Sequence, residues 1–210
     1  MGKQLRIWLF VLLGTLLTST ALLAEGVITM TTSERVGEEI GLSIKANGNV
    51  AIEGAQETGK TDKFDRKSYR LTSQTITIRG DVTELYCYFN KLTSLDVSKN
   101  AALTELNCSF NQLISLDVSK NTALTKLYCY DNQLTNLNVS GCARLTTIDC
   151  SSNYINGKAM TKLVNSLPNR RRKSSGRISL VDRSSKKRDK NRCSAADVTT
   201  VRRKNWEGAP

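Results

Sequence analysis

Histidine is absent from this chain of 210 residues, and its absence excludes several kinds of chemistry. It removes the most common general base, every Ser-His and Cys-His catalytic pair, and metal sites that are built on imidazole. Proline is also scarce, with two residues, and aromatic residues make up only 6% of the chain. Outside the first 24 residues there is no apolar run long enough to span a membrane. The rest of the composition is typical of a folded soluble protein.

The positive charge is concentrated at one end of the chain. The formal net charge is +12, from 31 basic and 19 acidic residues. Fourteen basic and four acidic residues lie between Pro168 and Pro210, whereas the stretch from Glu25 to Leu167 carries fifteen of each. The sequence therefore indicates a neutral body with a basic C-terminal end.

Residues 1–24 have the order of a secretory signal peptide. Lys3 and Arg6 form a short positive region, an apolar run follows, and small residues then lead to Ala24. The apolar run is shorter than the ~20 residues that a membrane span needs, so cleavage is expected rather than a retained anchor. We expect an exported chain, in the cell envelope or secreted, with no membrane span after cleavage. Whether it is released or held at the surface stays open.

A 21-residue repeat determines the expected architecture. One unit, TELNCSFNQLISLDVSKNTAL, runs from Thr104 to Leu124, and leucines and valines recur in the same register before and after it. No single unit can bury its apolar residues, so the units are expected to stack as coils around one shared core. The strictest positions of the repeat are the cysteines Cys87, Cys108, Cys129 and Cys150 and the asparagines Asn90, Asn111, Asn132 and Asn153.

Within each unit, the first apolar residues alternate with polar ones, as on a strand with one buried face. The asparagine that follows can donate and accept hydrogen bonds where the chain turns. A second apolar edge, Leu92, Leu95 and Val97 in the first unit, brings the chain back. The third unit departs from the pattern, because Gly141 and Cys142 replace the usual Lys-Asn pair.

The pattern resembles that of leucine-rich repeat proteins, and its cysteine is similar to that of the internalin-J-like class of exported bacterial proteins. The motif LDVSKN, at residues 95–100 and 116–121, carries much of this resemblance. The match is tight from Val82 to about Ile155. It implies a curved solenoid with a role in adhesion or in binding host proteins. Relatives of this kind also carry a helix before Lys-Asn-Trp, which occurs here at residues 204–206.

The expected fold is a short leucine-rich repeat solenoid, mainly β, with parallel strands on its concave face. Its expected parts are a signal peptide (1–24), an N-terminal β cap (25–81), the repeats (82–155) and a helical, basic C-terminal cap and tail (156–210). In the N-terminal cap, the alternation around Asn47-Gly48 predicts a hairpin with a tight turn. A loop is expected from Ala55 to Asp65.

After the repeats, the period of the apolar residues changes. Met160, Leu163, Val164 and Leu167 have helical spacing, and Pro168 is expected to end that helix. Another strand is expected around Ile178–Leu180. A capping box of Ser194 and Asp197 predicts the start of a second helix.

The four repeated cysteines are expected to be buried free thiols. Equivalent residues of stacked coils point the same way about 4.8 Å apart, which suits a row of small apolar side chains better than disulfides. A linear row cannot wrap tetrahedrally around zinc, so neither a metal nor a cofactor is expected. The pairing of Cys142 and Cys193 stays open.

The exposed strand positions on the concave face are the first candidate binding site, because four of the six tyrosines lie there. Tyrosine offers a large contact area and a polar end, although it also simply suits strands. The candidate residues are Glu84, Tyr86, Tyr88, Glu105, Asn107, Lys126, Tyr128, Tyr130 and Asp149, with Ser109, Thr147 and Ser151 at the remaining exposed positions.

The basic C-terminal end is the second candidate, for a polyanion such as a sulfated glycan or an anionic lipid. Its residues are Arg170, Arg171, Arg172, Lys173, Lys186, Lys187 and Arg188. Basic runs without a partner are also common, and no aromatic residues are interleaved as in single-strand nucleic-acid binders, so no nucleic acid is expected.

The sequence thus predicts a monomeric binding module for a protein or a glycan that performs no catalysis. Two alternatives stay open: a truncated structural relative with no dedicated ligand, and a polyanion binder that acts through its basic end.

Overall fold

The computed structural model describes residues 26–182 and 189–208, so the expected signal peptide lies outside the described residues. The described chain is mostly β, with one sheet of 11 strands and two short helices. None of the helices in these ranges is both long and apolar enough to cross a bilayer. A row of parallel strands with few helices is the architecture of a leucine-rich-repeat-like solenoid.

The elements alternate between short strands and connecting segments after a longer N-terminal β region. The strands are β1 Val27–Thr32, β2 Glu39–Glu53, β3 Ala55–Thr61, β4 Lys67–Leu71, β5 Thr75–Tyr86, β6 Leu92–Lys99, β7 Glu105–Asn107, β8 Lys126–Tyr128, β9 Thr147–Asp149, β10 Gly176–Ser179 and β11 Trp206–Glu207. The helices are α1 Gly157–Ser166 and α2 Ala195–Arg203. The order across the sheet is β11-β10-β9-β8-β7-β5-β2-β4-β3, and β1 pairs with β5 and β6.

The parallel part of the sheet confirms the repeated coil. Leu85 pairs with Leu106, Leu106 with Leu127, and Leu127 with Ile148, so each coil adds one strand in the same register. The next strand, β10, continues the row by pairing Ile178 with Ile148, although α1 lies in the connection between them. The repeat therefore fixes which side chains share a face.

The core is one continuous cluster that runs through all the coils. The leucines and cysteines of the strands and the leucines and valines of the returning segments are almost fully buried. Each such leucine contributes roughly 1.5–3 kcal/mol by leaving water, which no isolated coil could gain. Cys87, Cys108, Cys129 and Cys150 are free thiols inside this cluster, as the repeat predicts.

The asparagines join each coil to its neighbour. The Oδ1 of Asn111 accepts hydrogen bonds from the backbone N–H groups of Asn90 and Leu92, at 3.1 and 2.9 Å. Its Nδ2 donates to the carbonyls of Cys87 and Cys108, at 3.1 and 2.9 Å. Equivalent bonds recur at Asn132 and Asn153. Because these backbone groups are buried at the turn, the side chain satisfies groups that water cannot reach.

At the two ends of the asparagine row, different residues supply the hydrogen bonds that a neighbouring coil supplies elsewhere. At the first coil, the Asn90 amide exchanges two hydrogen bonds with the backbone of Gly41 in β2, at 3.1 and 2.8 Å. At the last coil, Asn191 takes the place of a fifth repeat asparagine. Its Nδ2 donates to the Cys150 carbonyl at 2.8 Å, and its Oδ1 accepts from the Ile155 N–H at 2.7 Å.

The predicted hairpin at Asn47-Gly48 is wrong. Strand β2 runs through this dipeptide without reversing and pairs antiparallel with β5 on both sides of it. The pairing register shifts between Asn47 and Ala51, and Gly48 has a positive φ of 100°. Such a shift with glycine in the left-handed region is typical of a bulge, so the turn signal marks an irregularity in one long strand.

The predicted loop from Ala55 to Asp65 is also wrong in its first part. Residues Ala55–Thr61 form β3, which pairs antiparallel with β4. The true hairpin turn follows, where the Asp62 N–H donates to the Arg66 carbonyl at 2.8 Å. Six of the seven β3 side chains are exposed or half-buried, so the strand shows no alternation that a sequence pattern could reveal.

Beyond the repeats, the predictions hold with one adjustment. Helix α1 ends at Ser166, so Leu167 lies just outside it, although its side chain is buried. Strand β10 forms where a strand was expected. Helix α2 begins with the predicted capping box, in which Ser194 accepts from the Asp197 N–H at 3.2 Å and its own N–H donates to that carboxylate at 3.0 Å.

Candidate functional site

The strand face is the row of half-buried side chains that alternate with the core residues of β5, β7, β8 and β9. It contains the predicted residues Glu84, Tyr86, Glu105, Asn107, Lys126, Tyr128, Thr147 and Asp149. Glu105 contacts two other side chains of this face. The Tyr86 hydroxyl donates to Glu105 Oε2 at 2.8 Å, and Lys126 Nζ lies 2.6 Å from Glu105 Oε1. Lys45 of β2 pairs with Glu84 at 2.9 Å beside this group.

The contacts of the strand face keep Glu105 ionised and Tyr86 neutral. Partial burial opposes ionisation of Glu105, but the hydrogen bonds from Lys126 and Tyr86 outweigh it and lower the pKa of this carboxyl. Desolvation first, and then the bond to Glu105, raises the pKa of Tyr86 far above its ordinary value. Tyr86 therefore stays a neutral donor to an ionised Glu105.

Two of the predicted surface positions are buried. Ser109 and Ser151 were expected to be exposed, but their accessible surface is almost nil. Ser109 occupies the same repeat position as Tyr88 and Tyr130 in the adjacent coils, but its short side chain is fully buried. Asp149 accepts from the Ser151 N–H at 3.1 Å and hydroxyl at 2.6 Å, so this carboxylate is tied to its own turn.

Five aromatic residues form a second feature, which we call the aromatic ridge: Phe64, Tyr88, Phe89, Phe110 and Tyr130. Phe89 stacks on Phe110 with ring centroids 4.0 Å apart and planes 9° apart. Phe64 stacks on the other side of Phe89 at 5.2 Å, and Tyr130 meets Phe110 edge-on at 4.9 Å. Phe89 and Phe64 still expose 47% and 37% of their surface. The ridge therefore crosses three coils as a continuous apolar strip beside the strand face.

The backbone at the ridge is unusual for bulky residues. Phe89 and Phe110 have φ values of 55° and 53°, in the left-handed region, and so do Asp131 and Ser152 at the same repeat position. Aspartate tolerates this conformation better than phenylalanine, for which it costs about 1–3 kcal/mol. Two phenylalanines are thus kept where a smaller polar residue would be less strained.

The N-terminal hairpin holds one end of the ridge. Arg66 is buried and donates to Asp62 Oδ2 through Nε at 2.9 Å and Nη2 at 2.6 Å. Its Nη1 donates to the Tyr88 carbonyl, and its guanidinium lies 4.1 Å from the centre of the Tyr88 ring. The hairpin is therefore fastened to the first coil, and Phe64 lies in the same turn.

Grooves lie on both sides of the ridge along the asparagine edge. One, of about 550 Å³, includes Phe64 and Phe89 in its lining and continues onto β2. The other, of about 620 Å³, lies against the later coils and is lined by polar side chains that include Asp131, Gln133 and Tyr154. The surface thus offers an apolar strip between two depressions that side chains of a partner could enter.

Sequence reasoning found Tyr88 and Tyr130 but missed the three phenylalanines of the ridge. Phe89 and Phe110 stand at equivalent positions of successive units, so their shared place in the repeat was visible. Phe64 reaches the ridge from a turn of the N-terminal β region, and no local pattern indicates that contact.

One predicted polyanion-binding residue is structural instead. Arg170 is 5% exposed, donates to the Leu145 carbonyl at 3.0 Å and lies 5.8 Å from the ring of Trp206. Its guanidinium satisfies buried carbonyls, so it cannot serve an external anion. Arg171, Arg172 and Lys173 are exposed as expected, whereas Lys186, Lys187 and Arg188 lie outside the described residues.

Burial makes the thiols of the core poor nucleophiles. Burial raises the pKa of Cys87 to about 12 and that of Cys142 to about 11, which disfavours the reactive thiolate. Within residues 26–182 and 189–208, no group of three or more Cys, Asp or Glu side chains is placed to hold a metal ion.

Comparison with known proteins yields one partial likeness. No family model matches the chain, and no curated protein is significantly similar to it. A solved structure of the functional domain of InlJ from Listeria monocytogenes, which includes a cysteine ladder, is 36% identical with a TM-score of 0.38. The match covers 48% of this chain and 21% of that one, so this chain spans about a fifth of that structure's length. A TM-score of this size does not establish a common overall fold.

Proposed function

We propose that this chain is an exported binding module of the internalin-J-like type, which captures a protein ligand and performs no catalysis. The aromatic ridge is the main contact in this proposal, and the strand face surrounds it with fixed charges. Adhesion or host interaction is the role that fits such a module. Export is supported by the signal-like order of residues 1–24.

The observation that carries the proposal is the presence of phenylalanine at two left-handed positions. Phe89 and Phe110 give up backbone stability to form an exposed strip, and strain of this kind is concentrated at functional sites. Aromatic residues, phenylalanine among them, are also enriched at the buried core of protein interfaces. Asp131 and Ser152 show that the solenoid itself does not need an aromatic residue at this position.

The geometry favours a protein over a glycan. Phe89 stacks nearly parallel with Phe110 at 4.0 Å and with Phe64 at 5.2 Å, so the ring of Phe89 has an aromatic neighbour on its faces. A sugar packs against an open ring face, whereas the ring edges that remain here suit apolar side chains of a partner. The grooves on either side can admit such side chains, and the pairs Tyr86–Glu105 and Lys126–Glu105 can direct orientation.

The proposal is tested by photocrosslinking followed by affinity measurement. A photoreactive residue at Lys63, beside Phe64 on the ridge, is used to capture a partner from a surface-protein fraction. The captured protein is then purified and titrated against the variant Phe89→Asn/Phe110→Asn. We expect its Kd to rise about 30-fold or more, as for the loss of a ~2 kcal/mol hot spot. The variant should keep its stability within about 1 kcal/mol, because relief of left-handed strain offsets the lost ring contacts.

Val36→Asn/Ile114→Asn is the matched control, because both side chains are exposed apolar residues that are not part of the ridge. It should bind the partner like the parent chain. Equal affinity of the ridge variant and this control would contradict the proposal. Capture at Lys63 that is no stronger than capture from the exposed helix residue Lys158 would contradict it as well.

A further inference from the structure

Two basic runs that are distant in the sequence meet at the C-terminal end of the fold. Arg171 Nε donates to the Arg203 carbonyl at 2.8 Å, and Asn205 Nδ2 donates to the Lys173 carbonyl at 3.0 Å. The turn after α1 is therefore bonded to the end of α2. The resulting basic patch consists of Arg171, Arg172, Lys173, Arg202 and Arg203, all of which are exposed.

The basic patch is not neutralised by neighbouring carboxylates. All seven ion pairs among the described residues join partners between Glu34 and Lys126, and none involves the patch. The positive charge of the patch also acts on the adjacent Lys204. Burial first, and then the charge of Arg203, lower the pKa of this lysine. The dipole at the end of α2 attracts Arg202 and Arg203, and Arg171 bonds the Arg203 carbonyl, whereas the side chains of Arg172 and Lys173 make no hydrogen bond or ion pair to the described residues.

We propose that the basic patch binds a sulfated polysaccharide, independently of the protein ligand at the aromatic ridge. Four of its five side chains are arginines, whose planar guanidinium groups match sulfate oxygens two at a time. Five positive groups on one turn and one helix end suit a flexible chain with repeated anionic groups. The affinity of such a site comes mainly from charge neutralisation and therefore depends strongly on salt.

The surroundings of the patch disfavour the other polyanions. No large apolar side chain is exposed in residues 168–182 and 189–208, so nothing there can insert into a bilayer. Trp206, the aromatic residue nearest the patch, is buried and donates through Nε1 to the Pro168 carbonyl at 2.9 Å. It cannot stack on the bases of a single-stranded nucleic acid.

A size-defined heparin oligosaccharide is the probe for the test. The variant Arg172→Ser/Lys173→Ser/Arg202→Ser removes three charges that make no side-chain hydrogen bond or ion pair to the described residues. We expect its affinity at ~0.1 M salt to fall at least about tenfold, and the slope of log K against log salt to fall by about three. The control Lys99→Ser/Lys120→Ser/Lys158→Ser removes three exposed charges outside the patch and should bind like the parent.

The proposal is overturned if the two triple variants lose affinity equally, since charge alone would then explain the binding. It is also overturned if duplex DNA of equal charge, or vesicles of anionic phospholipid, bind the parent at least as tightly as heparin does. Lysine acetylation of the parent chain, with and without heparin, gives a second measurement that needs no substitution. Heparin should protect Lys173 from acetylation but not Lys120 or Lys158, and uniform protection would refute the site.

Discussion

At the scale of single residues, the third repeat shows that replacing asparagine by Cys142 requires a glycine at position 141. Asn121 Nδ2 donates to the Val97 carbonyl at 2.9 Å, and the Cys142 thiol makes the equivalent bond to Val118 at 3.3 Å. A cysteine is shorter than an asparagine, so the loop of the third coil lies closer to the loop of the second. A Cβ atom at Gly141 would lie 1.8 Å from the Ser119 carbonyl oxygen. Gly141 and Cys142 are therefore a single adaptation, because the shorter cysteine requires glycine beside it. The sequence shows that the third unit departs from the repeat, but not why it does.

Asp62 should make the stability of the N-terminal hairpin depend on pH. Partial burial opposes its ionisation, but hydrogen bonds from Arg66 and from the Phe64 N–H outweigh it and hold its pKa below 3.8. A carboxyl whose native pKa is lowered stabilises the fold above its ordinary pKa, and that stabilisation is lost as pH falls through the native value. Asp62→Asn should therefore be less stable than the parent at pH 7 and equally stable at the lowest pH.

Urea unfolding from pH 7 down to about pH 2.5 measures this difference. Asp65→Asn is the control, because it removes a charge from the same turn without touching Arg66. A gap between parent and Asp62→Asn that stays constant with pH would show that the Asp62 charge does not fasten the hairpin to the first coil.

At the scale of elements, the sequence predicted what the repeat covers and erred where pairing is long-range. Asn47-Gly48 is a strong local turn signal, yet β2 continues because both of its halves find partners on β5. Strand β3 is polar on both faces, so it depends on the neighbouring β4 and not on a buried side. Neither outcome can be read from a window of a few residues.

The last coil depends on an element that is outside the repeat. Asn191→Ala should leave the Ile155 N–H and the Leu180 carbonyl without the side-chain partner that Asn191 gives them. Each such loss costs about 1–3 kcal/mol, so we expect a destabilisation of roughly 2–4 kcal/mol. Asn136→Ala, at an exposed position, should change stability little. Urea unfolding of both variants checks this, and equal stabilities would mean that Asn191 does not complete the asparagine row.

At the scale of the whole molecule, the period of the sequence predicts the solenoid. The candidate sites, in contrast, form where segments that are distant in the sequence come into contact. The cysteine, asparagine and leucine rows were predictable because each coil repeats one solution to the same packing problem. The ridge needs Phe64 from the N-terminal hairpin, and the basic patch needs the turn after α1 to meet the end of α2. The ridge therefore lies where the N-terminal hairpin meets the coils, and the basic patch lies where two non-repeated C-terminal segments meet each other.

The register of successive coils, which stacks Phe89 on Phe110, is the feature on which the fold and the ridge both depend. The chain has four phenylalanines, so selective protonation of their rings in a deuterated background gives a sparse nuclear Overhauser spectrum. Centroids 4.0 and 5.2 Å apart predict a strong cross-peak between Phe89 and Phe110 and another between Phe64 and Phe89. Absence of the Phe89–Phe110 cross-peak in the folded protein would contradict the coil register and, with it, the aromatic ridge.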